Sequence, residues 1–151
     1  MRPRRAKAPE NRPSSATPSS RARTGFECVV PILRVGNLAA SIDHYARVLG
    51  FTLDWRSTGG FMASVSRDGR AIMLCQGDQG HPGTWVWFGV EDAEALFQEY
   101  AASGAAIRLA PTNFAWAYEM RVVDPDGHVL RFGSEPRPDL PLDTGPAEPG
   151  S

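Results

Sequence analysis

Cysteine is scarce in this chain. Cys28 and Cys75 both lie inside apolar runs, and two cysteines so placed make neither a disulfide framework nor the paired spacing of a zinc site. A thiol in such a setting packs as a small hydrophobe. Long apolar runs are missing as well: none approaches the roughly 20 residues of a membrane-spanning helix, and the first residues lack the apolar segment of a secretory signal. The expected location is therefore cytoplasmic, with no membrane partner. There is no GxSxG turn for a serine nucleophile, no phosphate-holding glycine loop and no dinucleotide fingerprint, and neither cysteine has an evident histidine partner. These absences argue against the common hydrolase, nucleotide-binding and nicotinamide-dependent classes.

A formal net charge of −1 conceals an asymmetry. Residues 1–23 hold seven basic residues against Glu10, or +6; residues 24–134 hold eight basic and twelve acidic, or −4; the remainder contributes −3. The basic stretch is rich in Pro, Ser and Ala, without aromatics or periodicity, so it cannot bury enough surface to offset the entropy of ordering. It is expected to be a disordered tail that binds no nucleic acid. The competing readings are a nucleic-acid or membrane arm and a transit peptide, although Pro3, Pro9, Pro13 and Pro18 interrupt the amphipathic helix a transit peptide prefers. Residues 136–151 read as a second Pro-rich disordered tail. Between the tails, residues 24–135 form one domain, and the chain's 42% hydrophobic content is ordinary for a globular protein.

Within that domain the pattern occurs twice. When VVPILRVGNLAASIDHYARVLGF (29–51) is set above TWVWFGVEDAEALFQEYAASGAA (84–106), Val35 falls on Val90 and Tyr45 on Tyr100. Each copy then ends in a hairpin, at Asp68-Gly69 and at Asp126-Gly127. The modules are 24–76 and 84–135, joined by GDQGHPG.

The local causes are explicit. β-Branched and apolar residues over 29–35 suit a strand; Asn37 then caps a helix whose Leu38, Ile42, Tyr45 and Leu49 recur at helical spacing, and Gly50 stops it. In the second copy Asp92 is the cap, Ala93, Leu96, Phe97 and Tyr100 form the apolar stripe, and Gly104 is the stop. The Asp-Gly pairs supply the positive φ of tight turns, with Pro125 pre-setting the second. Strands are predicted near 52–56, 61–66 and 71–76, and near 107–110, 117–123 and 128–133.

VVPILRVGNLAASIDHYARVLGF at one end and VVDPDGHVLRFGSEP at the other resemble the glyoxalase/bleomycin-resistance/extradiol-dioxygenase (vicinal oxygen chelate) superfamily, closest to its bleomycin-resistance-like branch. The resemblance covers roughly residues 26–135. It implies an α+β fold of two tandem βαβββ modules forming a half-open barrel cleft, commonly completed in a homodimer. Metal-dependent members place ligands at four positions that here correspond to Val30, Met73, Trp85 and Arg131. Divalent metals need imidazole or carboxylate donors, which none of the four supplies, so no metal and no cofactor are expected.

Strand alternation names the side chains sharing the face of those positions. Ile32 and Arg34 follow Val30 inward while Leu33 and Val35 turn toward the helix; Trp87 accompanies Trp85, with Val86, Phe88 and Val90 outward; Val129 accompanies Arg131, with Leu130 and Phe132 outward. If Met120 and Val122 continue the outer face, Glu119 and Arg121 point inward. PTNFAWAYEM adds Phe114 and Trp116 at the mouth of the cleft, and Trp55 offers a wall from the first module. Indoles stack on planar or cationic groups, arginines fork to carboxylate or phosphate, and small-molecule sites combine apolar walls with a few polar groups. The alternatives stay open: the tryptophans and Phe114 fill the barrel or a dimer seam, and Arg131 pairs only with Glu119.

His44 falls on the surface side of the first helix, His81 in the linker and His128 just after a turn, so no catalytic histidine is assigned. Two functions fit. One is a metal-free protein that binds a small molecule without turnover, sequestering an antibiotic or an aromatic metabolite; the inward arginines suit an anionic or zwitterionic ligand. The other is a small-metabolite lyase, isomerase or dioxygenase-like enzyme with Glu119 as base and an arginine as oxyanion stabiliser. A regulatory or scaffold dimer is a third.

Overall fold

A computed structural model describes residues 23–144. The first module runs β1 (Ile32–Arg34), α1 (Leu38–Arg47), β2 (Thr52–Arg56), β3 (Met62–Arg67) and β4 (Arg70–Cys75), and the second runs β5 (Trp85–Gly89), α2 (Ala93–Ser103), β6 (Ala106–Asn113), β7 (Tyr118–Val123) and β8 (Val129–Ser134). Each makes its own four-stranded sheet, in the orders β1-β4-β3-β2 and β5-β8-β7-β6, with no pairing from one sheet to the other. The first strand of each lies parallel to the last, and the other pairs are antiparallel. This is the expected tandem βαβββ arrangement, left open.

The caps act as the sequence requires: the side chains of Asn37 and Asp92 accept the N–H groups of Ala40 and Ala95, and Gly104 closes α2 at φ 83°. Two strand extents differ from expectation. β1 begins only at Ile32, although the Pro31 carbonyl before it still accepts the Met73 N–H at 2.9 Å, and β6 extends to Asn113 through two register shifts, the second of which carries it past Pro111. A proline removes a ladder donor, and such irregularities accommodate it.

Alternation divides each strand between two environments. Leu33, Val35, Val65, Ile72 and Leu74 of the first sheet and Met120, Val122, Leu130 and Phe132 of the second are buried in one cluster with Tyr45, Leu49 and Tyr100 of the helical segments. The modules therefore share a core, bridged by Phe51 against Phe88, which is itself stacked on Phe132 of its own sheet at 4.9 Å.

A polar clasp adds to this joint. Asp126 accepts the Gly36 N–H at 2.7 Å, and Asp124 accepts the Tyr45 hydroxyl at 2.8 Å together with the N–H groups of Asp126 and His128. Burial raises the Tyr45 pKa, and the Asp124 charge raises it further, so the hydroxyl keeps its proton as donor. His128 is fully buried rather than a solvated turn residue: Nδ1 accepts the Thr84 N–H, so Nε2 carries the proton that faces the Arg34 carbonyl at 2.6 Å. On the opposite side of the joint, Arg67 forks to Glu99 at 2.6 and 3.0 Å, and the Tyr100 hydroxyl donates to the Leu49 carbonyl. His44 is half-buried, not on the surface side; burial lowers its pKa against the opposing pull of Asp124 and Asp43.

The expected N-terminal tail lies outside the described residues apart from Arg23. The expectation of a disordered tail from Pro136 needs correction over its first residues. The buried Asn113 amide donates to the Arg137 and Leu140 carbonyls and accepts the Arg137 N–H, while the Asp143 N–H donates to the Asn113 carbonyl. One side chain supplies partners that the prolines cannot supply to one another.

Removing the clasp should be measurable. Tyr45→Phe leaves a buried carboxylate short of a donor and is expected to cost about 1.5–3 kcal/mol; Asp126→Ala, at a more exposed bond, about 1 kcal/mol. Both should lower the urea midpoint without changing the slope of the transition.

Candidate functional site

The faces turned away from the shared core carry the candidate site. On the second sheet, β5, β7 and β8 bring Trp85, Trp87, Glu119, Arg121 and Arg131 onto one surface, in the register Trp87 to Arg131 to Arg121. Glu119 is its centre. Fully buried, it receives a fork from Arg131, through Nε to Oε1 and through Nη2 to Oε2, and a further bond from Arg121 Nε at 3.2 Å. The Trp116 indole N–H donates to its second oxygen at 3.0 Å, folding the β6–β7 loop over the carboxylate. Phe114 stacks on Trp116 with ring centres 4.5 Å apart and planes 6° from parallel.

Burial pushes the Glu119 carboxyl up, but the hydrogen bonds from Arg131, Trp116 and Arg121 together outweigh it and hold the group below the usual carboxylate range. The ionised carboxylate in turn positions cations over aromatic faces: Arg131 lies over Trp87 at 5.0 Å, and Arg121 and Arg108 lie over Trp85 at 5.5 and 5.1 Å. Both indoles remain nearly half exposed, at 45% and 47%. Gly133 makes this possible, since a Cβ there would lie 2.2 Å from the Trp87 ring.

Seven of the nine candidate residues thus form one constellation. The other two do not join it: Arg34 and Trp55 belong to the first sheet, where an Arg34 Nη donates to the Asp78 carbonyl and Trp55 stands opposite Ser64. The sequence reading missed Arg108, which alternation does not aim reliably because β6 changes register on both sides of Leu109. It also missed Gly133, for which a signal existed: a glycine inside a strand marks close approach by another group.

The profile of the Glyoxalase/Bleomycin resistance protein/Dioxygenase superfamily matches residues 26–132. The chain belongs to that superfamily. A search of curated proteins finds no match. Among solved structures, the superfamily member described here is similar to TnmS3, an antibiotic binding protein from Streptomyces sp. CB03234, at TM-score 0.65 and 22% identity over 76% of this chain and 100% of that one. TioX from Micromonospora sp. ML1 gives 0.64 and 23%, covering 73% and 99%. The bleomycin-binding protein of Streptomyces verticillus, solved with copper(II)-bleomycin, gives 0.60 and 22%, covering 74% and 98%. Likeness at these identities establishes the fold.

The superfamily's metal positions do not fit a divalent cation here. Val30 and Met73 offer no hard donor, Trp85 is overlain by guanidinium groups, and Arg131 brings a positive charge to the remaining corner. Among the described residues no group of three or more His, Cys, Asp or Glu side chains could share an ion. The Glu119 carboxylate beside Arg131 already accepts from two arginines and an indole.

Because folding lowers the Glu119 pKa, its contribution to stability is complete above the unfolded carboxyl's value near 4.3 and is lost as pH falls through the lower folded value. Glu119→Gln should be less stable at neutral pH by up to about 3 kcal/mol, since it removes the buried negative charge on which two guanidinium groups converge. It should also flatten the acid limb of the stability profile, as followed by denaturant titrations across that range.

Proposed function

We propose that this protein binds a planar small molecule bearing an anionic group, without metal and without turnover, and so sequesters it. The observation that carries this reading is the second sheet's face, where Arg121 and Arg131 meet the Glu119 carboxylate and, with Arg108, lie over two half-exposed indoles. Guanidinium groups gathered beside those indoles have the fork geometry that matches a ligand carboxylate or phosphate. The indoles offer stacking surface whose orientation is set before the ligand arrives, which lowers the ordering cost of binding. Antibiotic-binding and bleomycin-binding proteins share the fold, which supports a ligand of that size and complexity.

The geometry weakens the enzyme alternative. Its best base, Glu119, is held ionised by three donors and is correspondingly poor at taking a proton. The protein is read as cytoplasmic, and no described helix is long and apolar enough to cross a membrane. Trp55, Trp85, Trp87 and Trp116 all lie exposed on this chain, and the part of that surface not occupied by ligand is read as the seam of a homodimer.

A thermal-shift screen against planar aromatic acids, including antibiotics that carry them, tests the proposal. Trp85→Ala and Trp87→Ala should each weaken a hit about tenfold and abolish the ligand-induced change in tryptophan fluorescence, with far-ultraviolet dichroism unchanged. Binding that survives both changes makes the indoles mere packing. Stoichiometric iron, nickel, manganese or zinc in the purified protein, with turnover depending on it, would restore the enzyme reading.

A further inference from the structure

The first sheet also turns a face away from the core, and its chemistry is opposite in sign. β2 pairs with β3 through a register shift: Leu53 stands opposite Val65, but Trp55, two residues later, stands opposite Ser64. Asp54 is the extra residue of this bulge. The register of Thr52 with Ser66 and Leu53 with Val65 already sets Asp54 on the face of Ser64, and the bulge, which re-aims the residue after it, brings Trp55 onto that same face, shared with Met73 and Ile32. The proof is in its partners: the Asp54 oxygens accept the hydroxyls of Ser64 at 3.0 Å and Ser66 at 2.6 Å, both on β3 and in phase with each other. Ser64 is itself only 3% exposed, so the carboxylate is held by a rigid donor.

We infer that Asp54 and Trp55 form a second subsite, which takes an ammonium or other organic cation. Two hydroxyls orient a carboxylate without neutralising it, and among the described residues no Lys or Arg pairs with Asp54. A carboxylate has about four acceptor directions, and the serines use two. Beside it lies an indole with 43% of its surface open, the partner of choice for a desolvated cation. A fixed negative charge next to an exposed π-face is the complement of an alkylated amine, just as the arginine-ringed face of the second sheet is the complement of an acid. This inference rests on the reading that the outward sheet faces are ligand faces. It deepens that reading by assigning the ligand a positive group held by the first module and an acidic aromatic group held by the second.

Titration calorimetry on the full chain with two simple probes tests it: benzyltrimethylammonium for the first sheet and 2-naphthoate for the second. Asp54→Asn keeps an oxygen for the serines and removes the charge; Trp55→Ala removes an exposed ring. Each should weaken benzyltrimethylammonium about tenfold and leave 2-naphthoate unchanged, whereas Trp85→Ala should do the reverse. Cation affinity that is unaltered by both Asp54→Asn and Trp55→Ala overturns the inference, as does a protein that binds 2-naphthoate but no cation. An unaltered protein that fails to bind 2-naphthoate, while its cation binding depends on Asp54, would sink the anionic reading of the second sheet and uphold this one.

Discussion

A carboxylate taken out of water must find compensation or lose its charge, and Glu119 finds it from three directions. Arg131, Arg121 and Trp116 converge on its two oxygens. The rest of the second sheet's face is arranged around that knot. The guanidinium groups are positioned by the carboxylate, the indoles of Trp85 and Trp87 lie beneath guanidinium groups, and the β6–β7 loop is folded inward through Trp116. Attraction between buried charges is offset in large part by desolvation, so the arrangement is better understood as fixing geometry than as adding stability. A face held in this way has little left to rearrange.

Duplication has produced two modules with the same strand order and different chemistry. Where the modules meet, one hairpin reaches across with Asp124, Asp126 and the buried His128, while its counterpart offers Arg67 to Glu99. The shared apolar cluster tolerates this divergence because it asks only for volume and apolarity at alternate positions. The outward faces diverge further: one is built on arginines about a carboxylate, the other on a lone carboxylate held by serines. Superfamily membership alone does not decide chemistry: the positions that the resemblance aligns with metal ligands carry Val30, Met73, Trp85 and Arg131 here.

The repeat, the caps at Asn37 and Asp92, the glycine stop at Gly104 and the inward or outward sense of most strand residues were all legible in the sequence. Each follows from a local rule: a short polar side chain reaches a free N–H, glycine adopts positive φ, and side chains alternate along a strand. Glu119 and Arg131 could be placed on one face by the same rule. Whether they pair only with each other could not, because that depends on Arg121 and Trp116 arriving from a neighbouring position and a loop.

Tertiary structure alone decided the rest, wherever a contact joins residues distant in sequence or a ladder breaks its period. His128 reads as a turn residue until the Arg34 carbonyl, from the other module, closes over it. Asn113 reads as one more polar residue near a loop until the C-terminal stretch wraps its amide. Trp55 should face away from Ser64 by simple alternation from Leu53, and the bulge in β2 turns it around to join Asp54. Periodicity and propensity act over a few neighbours, so they determined the elements and their faces; the partners of buried polar groups are set by how the elements meet, which no local pattern records.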